Sequence, residues 1–363
     1  MLKVFKNHFK VFNNRIYEIE KYINLIERQD EVIKEIRGLQ NQTLTKTNEY
    51  VEMLINLKSA TVNYNAIIIS IYGCYENFID DILREYLKAI IKLDSKYDSL
   101  NKKIREKYLK EATEYLSNPQ RFENYDLKIQ DVVENLYKCV KENNCNKINM
   151  DLILKHPANL KIKQINNLFS DLGIPNASQL IKESENYADY YMRENSIGSI
   201  GNAKVLLKKK CADELTFSIL TDLVDRRNSV SHSWNNDDRI SIEVIRNKYI
   251  KYIKVFCKSI CEIICNNYVE KLYKIGYVKK FNHIINIYNN NILCLNGEKA
   301  GLQVGDYLLV KNSKCLKLAE VLNIRIDEKD INQMPQNKNV GLKLSIKVKP
   351  NWNFYYINHS NKL

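Results

Sequence analysis

Ala66-Ile-Ile-Ile-Ser-Ile-Tyr-Gly-Cys-Tyr75 is the stretch that decides the architecture. Wound at 3.6 residues per turn it is apolar on every side, and a helix apolar all round belongs at the centre of a bundle. It sits inside a longer helical pattern that runs from about Asn48 to Lys92. Such a helix needs others around it, and they are legible on both sides. Upstream, Ile16, Ile19, Tyr22, Ile23 and Ile26 recur at helical spacing, which predicts a helix over Phe12 to Gly38 with the glycine as its stop. Asn41 to Thr47 is polar and reads as a loop. Downstream, helices are expected over Leu100 to Leu116, Asp126 to Glu142 and Asn159 to Gly173. Ser117-Asn118-Pro119 ends the first of these, and Gly173 with Pro175 behind it ends the last. After a loop at Glu194 to Asn202, a helix is expected over Ala212 to His232, with Leu215, Ile219, Leu223 and Val230 on its buried side. The last long helix is expected over Ser241 to Ile275, with Ile242, Val244, Ile245, Tyr249, Ile253, Phe256, Ile260 and Ile264 inside.

Helix breakers are scarce: 10 Gly and 5 Pro in 363 residues. Half of the glycines fall from Gly276 onward, where the period of the pattern changes. His283 to Tyr288, Asn291 to Leu295, Asp306 to Val310, Leu318 to Ile326 and Val340 to Ile346 read as strands. Asn289-Asn290, Asn296-Gly297 and Gly305-Asp306 supply turn chemistry between them. The expected fold is therefore mainly α. A helical domain over 1–275 is followed by a small all-β module over 276–363, of five or six strands closed into a barrel.

Lys and Arg number 56 against 43 Asp and Glu, a net charge of +13. An excess of this kind favours an anionic partner, nucleic acid first. Only 12 of the 56 are arginines, in a chain also crowded with Asn and Ile, as AT-rich coding produces. The few arginines are therefore more informative than the many lysines. From residue 271 onward there are 15 basic residues against 6 acidic, so most of the excess lies in the last quarter. The nine cysteines form no CxxC pair and no zinc-ligand spacing. Cys257, Cys261 and Cys265 share one helix face and read as small buried hydrophobes in a reducing compartment. No metal, cofactor, membrane span or secretory leader is expected, and the expected location is the cytoplasm.

Chemistry concentrates in Asp225-Arg-Arg-Asn-Ser-Val-Ser-His232. Arg226 and Arg227 offer planar forks suited to phosphate. Asn228 and His232 lie one helical turn apart on a common face, whereas Arg227 and His232 are about 140° apart on a straight helix. Histidine can move a proton near neutral pH, and arginine can stabilise charge developing on phosphorus. RNA carries its own nucleophile in the 2′-hydroxyl. The competing reading is a pair of arginines and a terminal histidine that only complement a helix end. Glu76, on the greasy central helix, would need a basic partner if buried. Asp80 and Asp81 read as a solvated face. Lys208, Lys209 and Lys210 form a basic run, either solvated or feeding a basic groove.

Arg227-Asn228-x-x-x-His232 resembles the R-x4–6-H motif of HEPN domains. Leu223 to His232 is similar to the LVxRRNxxxH form of the RiboL-PSP subgroup. Ile71-Tyr-Gly-Cys-Tyr-Glu-Asn-Phe-Ile79 and Ala158-Asn-Leu…Leu-Gly-Ile174 resemble that subgroup's earlier elements. The resemblance covers roughly residues 50–270. It implies a helical bundle that pairs as a homodimer and brings two motifs into one site. It also implies metal-independent RNA cleavage that leaves a 2′,3′-cyclic phosphate, in a toxin or phage-defence setting with an antitoxin or sensor partner. Carried over, His232 is the general acid/base, Arg227 the transition-state stabiliser and Asn228 the orienting residue. Arg226, Glu76 and Lys208 to Lys210 are further substrate-side candidates. A non-catalytic RNA-binding or adaptor protein of the same family is the alternative. The N-terminal helices and residues 94–150 go beyond the minimal bundle. Gly301 to Val310, Ala319 to Ile326 and Asn339 to Leu344 resemble the second, β-barrel domain of translation GTPases, a docking unit for tRNA, ribosome or protein. Tyr288, Tyr307, Trp352, Phe354, Tyr355 and Tyr356 read either as ordinary barrel core and rim or, for some of them, as stacking residues for bases.

Overall fold

The computed structural model describes residues 2–38, 52, 60–93, 95–122, 126–156, 159–209, 211–232, 238–296, 300–311 and 316–357, with the backbone alone at residues 30, 36–38, 232 and 316. The chain divides into two compact units. One gathers Lys3–Lys88 and Lys96–Ile263. The other is built mainly from Ile264 onward, together with the end of the second helix.

In the helical unit, α1 spans Leu2–Gly38 and α2 spans Ala60–Leu93. The expected stop at Gly38 coincides with the end of α1, while its start lies ten residues earlier than the Phe12 expected. Phe5, Phe12, Ile16, Ile19, Ile23, Ile26 and Ile33 form its buried stripe. The expected start of α2 near Asn48, and the Asn41 to Thr47 loop, lie outside the described residues. Along α2, Ile67, Ile68, Ile71, Tyr72, Tyr75, Phe78, Ile79, Ile82, Leu83 and Tyr86 are all buried. The opening stretch is therefore largely buried as expected but not on every side: Ile69 and Ser70 are exposed and Ala66, Gly73 and Cys74 are half-buried, so one face stays open. Phe12 of α1 meets Phe78, with ring centroids 5.2 Å apart. Tyr75 meets Phe256 edge-on at 5.9 Å.

The longer of the other helices are α3 (Lys102–Ser117), α4 (Ile129–Val140), α5 (Ile162–Asp171), α6 (Ala177–Glu183), α7 (Glu185–Glu194), α8 (Ile200–Lys209), α9 (Ser218–His232) and α10 (Lys251–Lys274). Local chemistry sets their ends. Asn101 caps α3 by accepting from the Lys103 N–H, and Ser184 caps α7 by accepting from the Tyr187 N–H. Gly173 closes α5 at φ +78°, with its N–H on the Ser170 carbonyl and the Ile174 N–H on that of Phe169. A side chain at Gly173 would also collide with the Asn101 amide, 2.5 Å away.

Two expected stripes shift. Asp213–Thr216 forms a separate short turn and Phe217 breaks it from α9. The buried positions then run Phe217, Leu220, Leu223 and Val224, and Leu215 is 77% exposed. Before α10, Ile245–Ile250 winds as a π-helix, which re-phases the pattern and leaves Val244 exposed. Cys257, Cys261 and Cys265 are all buried, as expected for small core residues. No helix among the described residues is long and apolar enough to cross a membrane.

The C-terminal unit carries a curled antiparallel sheet of eight strands: β1 Val278–Lys280, β2 Ile284–Tyr288, β3 Ile292–Asn296, β4 Tyr307–Lys311, β5 Leu316–Ile326, β6 Lys329–Ile331, β7 Asn339–Leu344 and β8 Asn353–Ile357. Their order is β1-β8-β4-β5-β7-β3-β2, with β6 paired to β5. The all-β module is therefore present, but the described strands make a half-barrel that leaves β1 and β2 as edges, not a closed barrel. The eleven-residue β5 pairs with β4 along its first half and with β6 and β7 along its second, which bends the sheet. Asn289 and Asn290, both at positive φ, make the β2–β3 hairpin. Gly305, at φ +85°, turns the chain into β4. Leu293, Leu295, Leu308, Val310, Val321, Leu342 and Phe354 form the core inside the curl.

Candidate functional site

Successive side chains on α9 leave the helix about 100° apart, so Asp225, Arg226, Arg227 and Asn228 meet different surroundings. Arg226 turns inward. Its Nε donates to Asp222 Oδ2 at 2.8 Å and to the Tyr249 hydroxyl at 3.4 Å. Its Nη1 donates to the Tyr64 hydroxyl at 3.2 Å and to the Asp238 carbonyl at 2.5 Å, and its Nη2 reaches Asp238 Oδ2 at 3.4 Å. Only 12% of the side chain is exposed. Burial works against its charge, but the hydrogen bonds with Tyr64, Asp222 and Tyr249 outweigh it and hold the guanidinium firmly protonated. Arg226 thus ties α9 to α2, to the π-helix and to the chain after the motif.

Arg227 is held differently. Its guanidinium lies over the Tyr72 ring, 4.7 Å from the centroid, and Nη1 donates to Asn228 Oδ1 at 3.1 Å. Among the described residues no carboxylate pairs with it. A ring face and a neutral amide orient the fork while leaving N–H donors uncommitted. Ser231 Oγ donates to the Arg227 carbonyl at 2.9 Å, which steadies the turn that follows.

Tyr72 links the site to the rest of the bundle. Its hydroxyl donates to Glu76 Oε1 at 3.1 Å and accepts from the Leu160 N–H at 3.2 Å. Burial pushes this phenol up to about 12, the Leu160 contact and Arg227 pull it down, and Glu76 adds to the rise. Tyr75, one turn on, donates to the Leu160 carbonyl at 2.9 Å. Beside Leu160, Lys161 Nζ pairs with Asp225 Oδ1 at 2.6 Å. Three sequence segments therefore converge: Tyr72 to Glu76 from α2, Leu160 and Lys161 ahead of α5, and Asp225 to Asn228 from α9. Half-buried Glu76 has the Tyr72 hydroxyl as partner, with Arg227 on the same ring. Tyr72 and Lys161 were not singled out in the sequence. The signal for Tyr72 was its position one helical turn before Glu76.

The other candidates stand as follows. Asp80 is not simply a solvated face: His156 Nε2 lies 2.7 Å from its Oδ1. Lys208, at the end of α8, pairs with Glu183 at 3.0 Å, and Lys209 beside it is exposed. Lys210 and the His232 side chain lie outside the described residues. The helix itself continues to His232, so backbone geometry keeps positions 227 and 232 about 140° apart around α9.

A family model described as RiboL-PSP-HEPN matches residues 10–266. The chain belongs to the RiboL-PSP-HEPN family. The match begins inside α1 and runs through residues 94–150. It ends before β1. No curated protein matches the chain significantly. All three converging segments fall inside the HEPN match, and so does the whole of α9.

Proposed function

We propose that the protein is a HEPN endoribonuclease that cleaves RNA by attack of the 2′-hydroxyl on the adjacent phosphorus and leaves a 2′,3′-cyclic phosphate. The observation that carries this reading is the contrast between the two arginines. Arg226 is consumed by the fold, while Arg227 is oriented by Tyr72 and Asn228 and keeps donors for a phosphate. In the reaction, Arg227 offsets the extra negative charge of the five-coordinate phosphorus. His232 takes the 2′-hydroxyl proton or returns one to the leaving 5′-oxygen. Asn228, one turn before His232, steadies the fork of Arg227. With positions 227 and 232 on different sides of α9, a homodimer supplies a way for one copy's histidine to work beside the other's arginine. A toxin or defence role, an antitoxin or sensor partner and a cytoplasmic setting belong to the same proposal.

The test uses the full-length protein treated with EDTA and a labelled RNA. His232→Ala is expected to lower the cleavage rate by roughly 10²–10⁴-fold, the usual worth of a general acid/base, and Arg227→Ala by a comparable factor. Wild-type products should end in a cyclic phosphate. Cleavage undiminished in both variants would sink the enzymatic reading. RNA binding without any cleavage by the wild type would instead favour a non-catalytic adaptor.

A further inference from the structure

The net positive charge of the last quarter of the chain has a structural counterpart within the C-terminal unit. On β4 and β8, Leu308, Val310, Phe354 and Tyr356 point into the curl of the sheet. By alternation Tyr355 and Lys311 face the other way. β1 lies next to β8, with Lys280 opposite Tyr355 in register. The last turn of α10 meets this outer face. The Tyr273 ring stands edge-on to Tyr355 at 5.3 Å. Lys311 Nζ lies 4.3 Å from the Tyr273 centroid and donates to its hydroxyl at 3.0 Å.

Lys280 and Lys311 act on the Tyr273 ring, Lys271 and Lys274 lie on the same end of α10 beside the exposed Glu270, and Lys279, opposite Tyr356, faces the inner side. Among the described residues no carboxylate pairs with Lys271, Lys274, Lys280 or Lys311. Elsewhere in the same unit carboxylates are used, as in Arg325 with Asp330 at 3.1 Å and Tyr307 with Glu320 at 3.0 Å. The local field is felt by the groups in it. The hydrogen bond from Lys311, helped by Tyr355 and the charge of Lys280, pulls the Tyr273 phenol below its ordinary value. Burial, with Lys274 beside it, lowers Lys271.

The structure also sorts the candidate aromatics of this module. Phe354 and Tyr356 are core, Tyr307 is bonded to Glu320, Trp352 packs against the core, and Tyr288 stands on the β2 edge. Tyr355 alone of the six is half-exposed among lysines, and Tyr273 joins it.

We propose that this face binds single-stranded RNA, with Lys274, Lys280 and Lys311 on successive phosphates and the Tyr273 and Tyr355 rings against bases. Lysines interleaved with half-exposed aromatic rings suit a strand whose bases are unstacked, since every base has a face to offer. A duplex would present phosphates but no free base. The proposal rests on the reading of the protein as one that acts on RNA, and it assigns the C-terminal unit the task of holding the strand.

The test uses the full-length protein carrying His232→Ala, so that RNA stays intact, and a fluorescent single-stranded RNA of about 12 nucleotides. Anisotropy is followed between about 50 and 200 mM salt. The Lys274→Gln/Lys280→Gln/Lys311→Gln variant should weaken binding at least about tenfold. It should also flatten the salt dependence by about 2 in log–log slope, at roughly 0.7 per phosphate lost. Tyr355→Leu should weaken binding about five- to tenfold and leave the slope unchanged. Lys280→Glu/Lys311→Glu, at one exposed and one half-exposed position, repeats the test with reversed charge, and helical circular dichroism checks that each variant is folded. RNA bound with unchanged affinity and slope by all folded variants would overturn the proposal. So would a wild type that prefers phosphatidylserine vesicles to RNA through the same lysines. A wild type that binds no RNA at low salt is a different result, the failure of the RNA reading itself.

Discussion

Replacing Arg226 by methionine separates a structural arginine from a phosphate ligand. The substitution keeps most of the aliphatic bulk and removes five N–H donors. Its consequences follow from the partners. Asp222, Tyr249, Tyr64 and Asp238 all lose a charged donor at 2.5–3.4 Å. A hydrogen bond to a charged group contributes about 1.5–3 kcal/mol, and removing one member of a buried ion pair costs about 3–5 kcal/mol. Asp222 is 43% exposed and Asp238 is 90% exposed, so water can take over much of their solvation. Buried Tyr64 has no such recourse, whereas buried Tyr249 still donates its hydroxyl to Asp222. The discounted loss is about 2–3 kcal/mol. With a urea m-value near the upper end of the usual range, about 3 kcal/mol/M, the midpoint falls by roughly 0.7–1 M. Adding Asp222→Asn should recover part of the loss, because the stranded carboxylate is then gone. The matching measurement is RNA affinity at two salt concentrations, where Arg226→Met should resemble wild type and Arg227→Met should not. An unchanged urea midpoint, with affinity down tenfold and the salt slope smaller by one phosphate, would refute the assignment and make Arg226 a ligand for RNA.

Two further outcomes test neighbouring claims. Tyr72→Phe keeps the ring under Arg227 but removes the hydroxyl shared with Glu76 and Leu160, so stability should fall by about 1–2 kcal/mol while the cleavage rate changes far less than in Arg227→Ala; a rate loss equal to that of Arg227→Ala would show that the hydroxyl itself takes part in the reaction. Buried Tyr72, Tyr97, Tyr249 and Tyr268 are each pushed up to about 12 by burial, so below pH 10 both folded and unfolded chains keep the phenol proton, and between about pH 10 and 12 only the unfolded chain gives it up. Stability is therefore expected to hold up to pH 10 and then drop by several kcal/mol by pH 12; a urea midpoint that stays flat from pH 9 to 11 would contradict it.

Much of the bundle was legible because its signals are local. The buried centre of α2 needed only a run of apolar residues, and the ends at Gly38 and Gly173 needed only a glycine after a periodic stretch. The misses have physical causes that single-helix periodicity does not carry. The π-helix at Ile245–Ile250 inserts extra residues per turn, so Val244 falls outside although its spacing places it inside. Leu215 fails because the chain breaks at Phe217 and restarts its register there. In the β-unit, the short edge strand β1, the short β6 and the terminal strand β8 went unassigned, and the sheet does not close across its described edges. Pairing partners far apart in the chain decide closure, and no local pattern encodes them.

The site divides along the same line. Asp225 to His232 announces itself by residue type, since an Arg-Arg pair is unusual in a lysine-rich chain. Which of the two arginines is free is not a property of the pair. Adjacent residues on a helix diverge by about 100°, so one can face a packed neighbour while the other faces an opening. Burial of α9 through Leu220, Leu223 and Val224 sets that rotation, and it turns Arg226 toward Tyr64 and Tyr249 and Arg227 toward Tyr72. The apolar residues thus choose the arginine left with donors for a phosphate. A substitution that rotates α9, such as one that overpacks Leu220, would change the fate of both arginines without touching either.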